Sequence, residues 1–194
     1  GTGVHLHCPM AVQALSRGCH VLTAKPSTTL VQNVDRMAEA AERAGRLLAV
    51  DFQHIYAEAT QEIKAAISAG TLGRVHTIVV RLAWCRTQRY YDRNNWAGRY
   101  VLGGEIVLDG PLNNPHAHYI HNSLYFAGAS RHAFATPAWV QAELYKGHDI
   151  EGEDTVCARA ATDTGVEILF LATLCAEEGV NRTDIDIYAE RGTA

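Results

Sequence analysis

Lys25 ends a short apolar run, His20-Val21-Leu22-Thr23-Ala24-Lys25-Pro26. Val21 and Leu22 read as sheet core, and Pro26 fixes φ and cannot continue a strand. An ammonium pinned at the carboxyl edge of a strand stands where open α/β sheets bind ligands. There it can stabilise negative charge developing on an oxygen. By pattern alone the same residue also reads as a solvated surface lysine. A second set of candidates is Asp109-Gly110-Pro111-Leu112-Asn113-Asn114-Pro115-His116-Ala117-His118. Imidazole titrates near neutrality, as a general acid or base must. Asn114 has the chemistry of an N-cap, and Pro115 suits a first helical position. This reading groups Asn113, Asn114, His116 and His118 about a helix N-terminus, which favours oxyanions. Of the two histidines His118 is preferred as a base, because that cap would put it one turn above Asn114.

Other reactive types are thinner. His116, His118 and His121 include one pair on a shared helical face, and His5-Leu6-His7-Cys8 is similarly sparse. Without a nearby carboxylate neither is a strong zinc pattern, and no metal site is expected. Gln53, just past a strand, is a candidate pocket residue. Arg86, Arg89, Tyr90, Tyr91, Arg93 and Trp96 make a basic, aromatic loop. It reads as a grip for a polyhydroxylated or acidic substrate, as a contact with another subunit, or as an ordinary packed surface loop.

The elements that must position these residues alternate at first. Cys8 to Arg17 reads as a helix stopped by Gly18, followed at once by a strand from Cys19 to Thr23. Thr28 or Thr29 is placed to cap a helix reaching Ala44, with Val31, Val34, Met37 and Ala41 at helical spacing. Leu47 to Phe52 is another apolar strand. Such alternation with short connections predicts a parallel sheet wound with helices. Ala57 to Ala69 reads as a helix with Ile63 and Ile67 on one face, and Val75 to Trp84 as a long strand. An irregular stretch from Arg86 to Gly104 follows. A helix from Pro115 to Ala127 would carry an apolar stripe (Ala117, Ile120, Leu124, Ala127). Its opposite stripe is polar (Asn114, His118, His121, Asn122, Tyr125) and is expected to be either solvated or part of a site. Runs at 138–145, 154–162, 166–175 and 184–189, separated by turns, predict an antiparallel sheet. The expected organisation is the C-terminal part of a Rossmann-like α/β domain over 1–54, then an α+β domain over 55–194.

Composition bounds the rest. The 194 residues are 47% hydrophobic and 20% charged, with net charge −4. That is enough apolar material for a sizeable core. Seventeen basic against 21 acidic residues, with no dense basic run, argue against nucleic acid as a partner. No run approaches the roughly 18 apolar residues of a membrane span. Five scattered cysteines without a C-x-x-C favour buried free thiols and a cytoplasmic location over a disulfide frame.

Several short motifs, in order, resemble the Gfo/Idh/MocA oxidoreductases. Thr2-Gly3-Val4-His5-Leu6-His7, a helix, then Gly18-Cys19-His20-Val21-Leu22-Thr23-Ala24-Lys25-Pro26 is similar to the family's T-P-N-x-x-H, helix, G-K-H-V-x-x-E-K-P. Leu47 to Gln53 with Tyr56 resembles its G-F-x-x-R-F strand, and Gly70-Thr71-Leu72-Gly73-Arg74-Val75 its G-x-L-G-x-V turn. Trp96-Ala97-Gly98-Arg99, Gly103-Gly104 and Leu108-Asp109 follow in family order, and Ile187 to Thr193 resembles I-x-G-x-x-G-T. The likeness runs over nearly the whole chain.

The resemblance implies an oxidoreductase that passes a hydride between a sugar, cyclitol or similar polyol and NAD or NADP. It implies that Lys25 lies beside the nicotinamide and the reacting oxygen, and that Thr2, Val4, His7, Lys25, Pro26 and Trp96 line the cofactor. Gln53, Asn113 and Asn114 would face substrate. Asp109 would orient a histidine or hold a substrate hydroxyl. The family's next residue in the relay is a histidine four positions after the aspartate, where this chain has Asn113. His118 or His116 would then take the proton. The family's glutamate before the lysine is Ala24 here, and Gly3-Val4 replaces Pro-Asn. Two other readings follow from the same resemblance: an NAD-dependent glycosidase with no net redox, and a non-catalytic sensor. A homodimer or homotetramer is also implied, paired through the open face of the second domain's sheet. The chain contains no G-x-G-x-x-G. The expectation is therefore an internal part of a longer protein, inactive and a poor dinucleotide binder by itself.

Overall fold

A computed structural model describes residues 2–194. A 3-10 turn, Val4–Leu6, leads into helix α1 (His7–Ser16). Strand β1 (Val21–Ala24) and helix α2 (Val31–Ala44) follow, then strand β2 (Leu48–Asp51). β1 and β2 pair in parallel, from Val21 opposite Leu48 to Ala24 opposite Asp51. The two helices meet through Cys8, Ala11 and Met37, with Val12, Val21 and Leu48 packed alongside. Both strands therefore end on the same edge, delivering Lys25 and Phe52 side by side in the fold.

Two readings of α2 are corrected. Its N-cap is Leu30 and no side chain caps it, because Thr28 Oγ1 instead accepts from the Leu30 N–H (3.4 Å) and the Asn33 amide (3.3 Å). Val31 and Val34 are exposed, and Met37 with Ala40 forms the buried face. Of the five cysteines only Cys8 is buried.

The second part is a six-stranded sheet with two helices on one face. Helix α3 (Glu58–Ser68) precedes strand β3 (Val75–Trp84), short helix α4 (Gln88–Tyr91) and a small hairpin, β4 (Val101–Leu102) with β5 (Glu105–Ile106). Helix α5 (Ala117–Ala127) is followed by β6 (Pro137–Tyr145), β7 (Thr155–Thr162), β8 (Glu167–Thr173), β9 (Asn181–Ala189) and β10 (Gly192–Thr193). The order is β10-β9-β3-β8-β7-β6. β3 runs parallel to β8 and antiparallel to β9, so the sheet is mixed rather than wholly antiparallel. The cause is topological: β3 enters from the first part of the chain and slots between two strands formed about a hundred residues later.

Ile78, Val80, Leu82, Ile168 and Ile187 alternate onto the covered face and pack against Tyr125, Phe126, Ile63 and Ile67. Full burial of each such side chain stabilises by about 1.5–3 kcal/mol. The other face carries Arg81 paired with Asp186 and Arg159 paired with Glu167, with Leu171 exposed between them. One cation lies in the core itself. Lys64 has no exposed surface and donates to the carbonyls of Tyr125, Gly128 and Ala133. It thus supplies donors for the carbonyls left over where α5 ends.

Helix α5 departs from expectation at its start, and its polar stripe takes one of the two alternatives left open. It begins at Ala117 with His116 at the N-cap position, and residues 111–116 form a chain of turns instead of a first helical turn. Its polar stripe is not solvated: His118, Asn122 and Tyr125 are buried and His121 half-buried. Both faces are covered because one lies on the sheet and the other against the exit of β2.

Candidate active site

Lys25 comes off β1 with its ammonium donating to the backbone carbonyl and to Oδ1 of Asn114 (3.3 Å to Oδ1). The Asn114 amide in turn donates to Asp109 Oδ1 at 2.7 Å, and the Gly98 N–H donates to Asp109 Oδ2 at 2.9 Å. Asn114 is thus the link between the ammonium and a nearly buried carboxylate, and is not a helix cap. Asp109 spends both oxygens on that link and on Gly98, so it does not orient a histidine. Burial pulls the Lys25 pKa below its usual value, and the Asp109 charge opposes that shift.

The turn that carries Asp109 is locally strained. Leu108 has φ +48°, an uncommon conformation for a branched side chain. Asn113 stabilises it by donating to the Leu108 carbonyl at 2.7 Å. Asn113 thereby shapes the loop, and it is not among the residues that line the cavity beside Lys25.

Beside Lys25 opens a cavity of about 420 Å³, lined by Thr2, Val4, His7, Pro26, Trp96 and Asn114, with Met10, Ala11 and Val21 as an apolar wall. Every residue that the sequence associates with the cofactor lies on this one cavity. His7 Nδ1 bonds the Pro26 carbonyl at 2.8 Å, tying the first turn to the loop after β1. Trp96 is set by Asn94, whose Oδ1 accepts from the Trp96 and Ala97 N–H groups (3.0 and 2.8 Å), a local Asx turn. A Cβ at Gly3 would lie 2.5 Å from the His5 ring and 3.2 Å from Trp96, so a side chain there would require the His5 ring to shift. Gln53 is exposed and does not line the cavity.

The two candidate histidines differ in access. His116 is wholly buried, edge-on to Trp84 (centroids 4.5 Å apart), with neither ring nitrogen partnered. His118 stacks on His54 (3.9 Å) and meets the edge of Phe52 (5.8 Å); its Nδ1 is sealed, leaving Nε2 as the open nitrogen. Its position comes from this stacking, not from a turn above Asn114. Burial pulls both imidazoles down to about 4. The charges of Arg86 and Lys25 act in the same direction on His116, and those of His54 and Lys25 on His118. Both are therefore neutral at pH 7.

Sequence reasoning missed His54, Phe52 and Lys64. A signal existed for Lys64, which falls between Ile63 and Ile67 at inward helical spacing. The basic, aromatic loop turns on itself. Arg86 lies over Trp84 and Tyr90 (5.2 Å each), and Arg93 over Tyr90 (3.6 Å) and Trp96 (5.3 Å). No helix among the described residues is long and apolar enough to cross a membrane.

Comparison with known proteins yields two family models. One, described as oxidoreductase family, NAD-binding Rossmann fold, matches residues 1–52; the other, GFO/IDH/MocA C-terminal domain, matches 60–194. A D-glucoside 3-dehydrogenase of Escherichia coli (strain K12) is 28% identical over 122 residues, 63% of this chain and 33% of that protein. Among solved structures, the WlbA dehydrogenase of Bordetella pertussis, in complex with NADH and UDP-GlcNAcA, is 28% identical. Its TM-score is 0.86 over all of this chain and 55% of that one. The myo-inositol 2-dehydrogenase of Lactobacillus plantarum shares the fold, with a TM-score of 0.79 at 16% identity over all of this chain and 55% of that one. The chain thus spans a third to about half the length of these relatives.

Proposed function

Because the chain belongs to the GFO/IDH/MocA oxidoreductase family, we propose that it serves an NAD(P)-dependent dehydrogenase acting on a carbinol of a sugar, cyclitol or related polyol. The observation that carries this reading is the placement of Lys25 at the edge of a single cavity. Thr2, Val4, His7, Pro26 and Trp96 line that cavity, and Asn114 faces it from the second part of the fold. An apolar wall with one ammonium at its edge fits the nicotinamide end of the cofactor. No residue of this chain is assigned to the phosphates. When bound, the cofactor supplies hydride acceptance or donation.

The chain's own residues do the rest. Two of the three Lys25 donors are held by Asn114, which leaves one to hold the substrate oxygen as charge develops on it. Asp109 is a positioning residue: it fixes the Asn114 amide and sustains the ammonium against burial. His118, neutral and open at Nε2, is the preferred proton acceptor, and His116 is too enclosed to reach substrate. Pairing of two or four copies across the uncovered sheet face, where Leu171 is exposed, belongs to the same proposal.

The test is turnover of a sugar and cyclitol panel with NAD+ or NADP+ by the full-length protein. Lys25→Ala should lower kcat by about 10²- to 10⁴-fold. Undiminished turnover would remove Lys25 from the mechanism. Reduced cofactor formed in step with product supports the dehydrogenase. Glycoside cleavage without net reduction would replace it with the redox-neutral reaction, and cofactor binding without turnover with the sensor.

A further inference from the structure

The turn joining β6 to β7 gathers three ligand-type side chains that the proposed reaction does not use. Asp154 is completely buried, and its carboxylate accepts from the N–H groups of Gly147 and His148 and from Thr155 Oγ1. It also accepts from His148 Nδ1 at 2.8 Å. Cys175, just past β8, brings its Sγ to 3.4 Å from that same His148 Nδ1. The three ligand atoms all lie within 4.8 Å of one another.

Two partners converging on one imidazole nitrogen do not make a nucleophile–base–acid relay, which needs them on opposite ring nitrogens. They surround a common point instead. We propose that His148 Nδ1, the Asp154 carboxylate and Cys175 Sγ bind one divalent transition-metal ion. The mixed N, O and S donors suit zinc best. Bonds of about 2.0–2.3 Å set tetrahedral ligand atoms roughly 3.3–3.6 Å apart. The sulfur–nitrogen spacing already meets this, and the shorter His148–Asp154 contact opens as its hydrogen bond is exchanged for coordination. Binding releases one proton to solvent, from the Cys175 thiol, while the His148 ring passes its Nδ1 proton to Nε2 and stays neutral, so that the ligands are an imidazole, a carboxylate and a thiolate.

A second feature lies beside the same place. Tyr91 packs its ring 5.0 Å from that of His148, and its buried hydroxyl has no hydrogen-bond partner. A water in the fourth coordination position would give that hydroxyl one. The ion would act as a clip. The turn it fixes holds Gln88 through both atoms of the Asp149 backbone amide and carbonyl pair (3.1 and 3.2 Å), and Gly152 N–H donates to the Gly98 carbonyl at 2.8 Å. Gly98 is the residue whose amide holds Asp109.

The experiment titrates cobalt(II) into the chelator-treated chain and follows thiolate-to-cobalt charge-transfer absorption. One equivalent should saturate the band and zinc should bleach it. Cys175→Ser should abolish the band with the far-ultraviolet circular dichroism unchanged, while Cys19→Ser, at an exposed and remote thiol, should keep it. As a check that needs no variant, saturating zinc should protect Cys175 from alkylation, read by mass spectrometry. A wild-type chain with no band, a band that survives in Cys175→Ser, or alkylation of Cys175 unaffected by zinc would overturn the site. Asp154 would then be a cap for its turn alone.

Discussion

Asp109→Asn isolates the electrostatic part of the site, because it keeps the shape of the side chain and removes its charge. Asn114 bridges Lys25 and Asp109 with 3.3 Å on one side and 2.7 Å on the other. Adding the width of the amide puts the two charges on the order of 8 Å apart, where the attraction is about 2 kcal/mol at an effective dielectric of ~20. Solvent reaching the half-buried ammonium reduces this to roughly half. Asp109 favours the charged form of Lys25 and burial disfavours it, so losing the carboxylate lowers the Lys25 pKa further. The expected fall in its titration midpoint is on the order of one pH unit. The chain contains only three lysines, Lys25, Lys64 and Lys146. A carbon-detected NMR titration of their Cε resonances, assigned with Lys25→Arg, therefore reads the quantity directly and without turnover. A midpoint for Lys25 that stays within a few tenths of a pH unit, or rises, would refute the Lys25–Asn114–Asp109 coupling. Lys64 in the same sample should not move.

Three other outcomes follow. Lys64→Met keeps the stem but leaves the carbonyls of Tyr125, Gly128 and Ala133 without their donor, and should cost about 3 kcal/mol in urea unfolding; a loss below ~0.5 kcal/mol would show that other groups satisfy them. Burial holds His116 at about 4, below its ordinary 6.5, so between those values the unfolded chain binds a proton that the folded chain refuses. Stability should fall as pH drops through that window, and His116→Phe should flatten the slope by up to one proton; equal slopes would refute this. His118→Ala should abolish turnover while His116→Phe leaves most of it, as steady-state kinetics would show, and the reverse order would exchange their roles.

Much of the fold was legible because its signals are local. Val75 to Trp84 was read to the residue from an apolar, β-branched run, and the helix ending at Ala44 from Gly45, which adopts a left-handed φ of +59°. The caps were less legible. Thr28 and Asn114 have capping chemistry, but each spends its polar atoms on a different partner, and nothing in the local sequence announces that partner. The stripe of His118, His121 and Asn122 was equally ambiguous, since helical periodicity shows which residues share a face and not what that face meets.

The sequence by itself therefore determined that a lysine stands at the carboxyl end of a parallel strand. It also placed an aspartate, two asparagines and two histidines in one later segment. Strand and helix propensities and chain direction decide both, over a few residues. Only the tertiary structure decided that Asn114, 89 positions after Lys25, joins it to Asp109, that His116 is sealed while His118 stays open at Nε2, and that Asp154 meets Cys175 at a single histidine nitrogen. Those relations depend on which faces are buried against each other. Desolvation and pairing set the chemistry of a charged or titratable group, and both are properties of the packed molecule rather than of its neighbours in sequence.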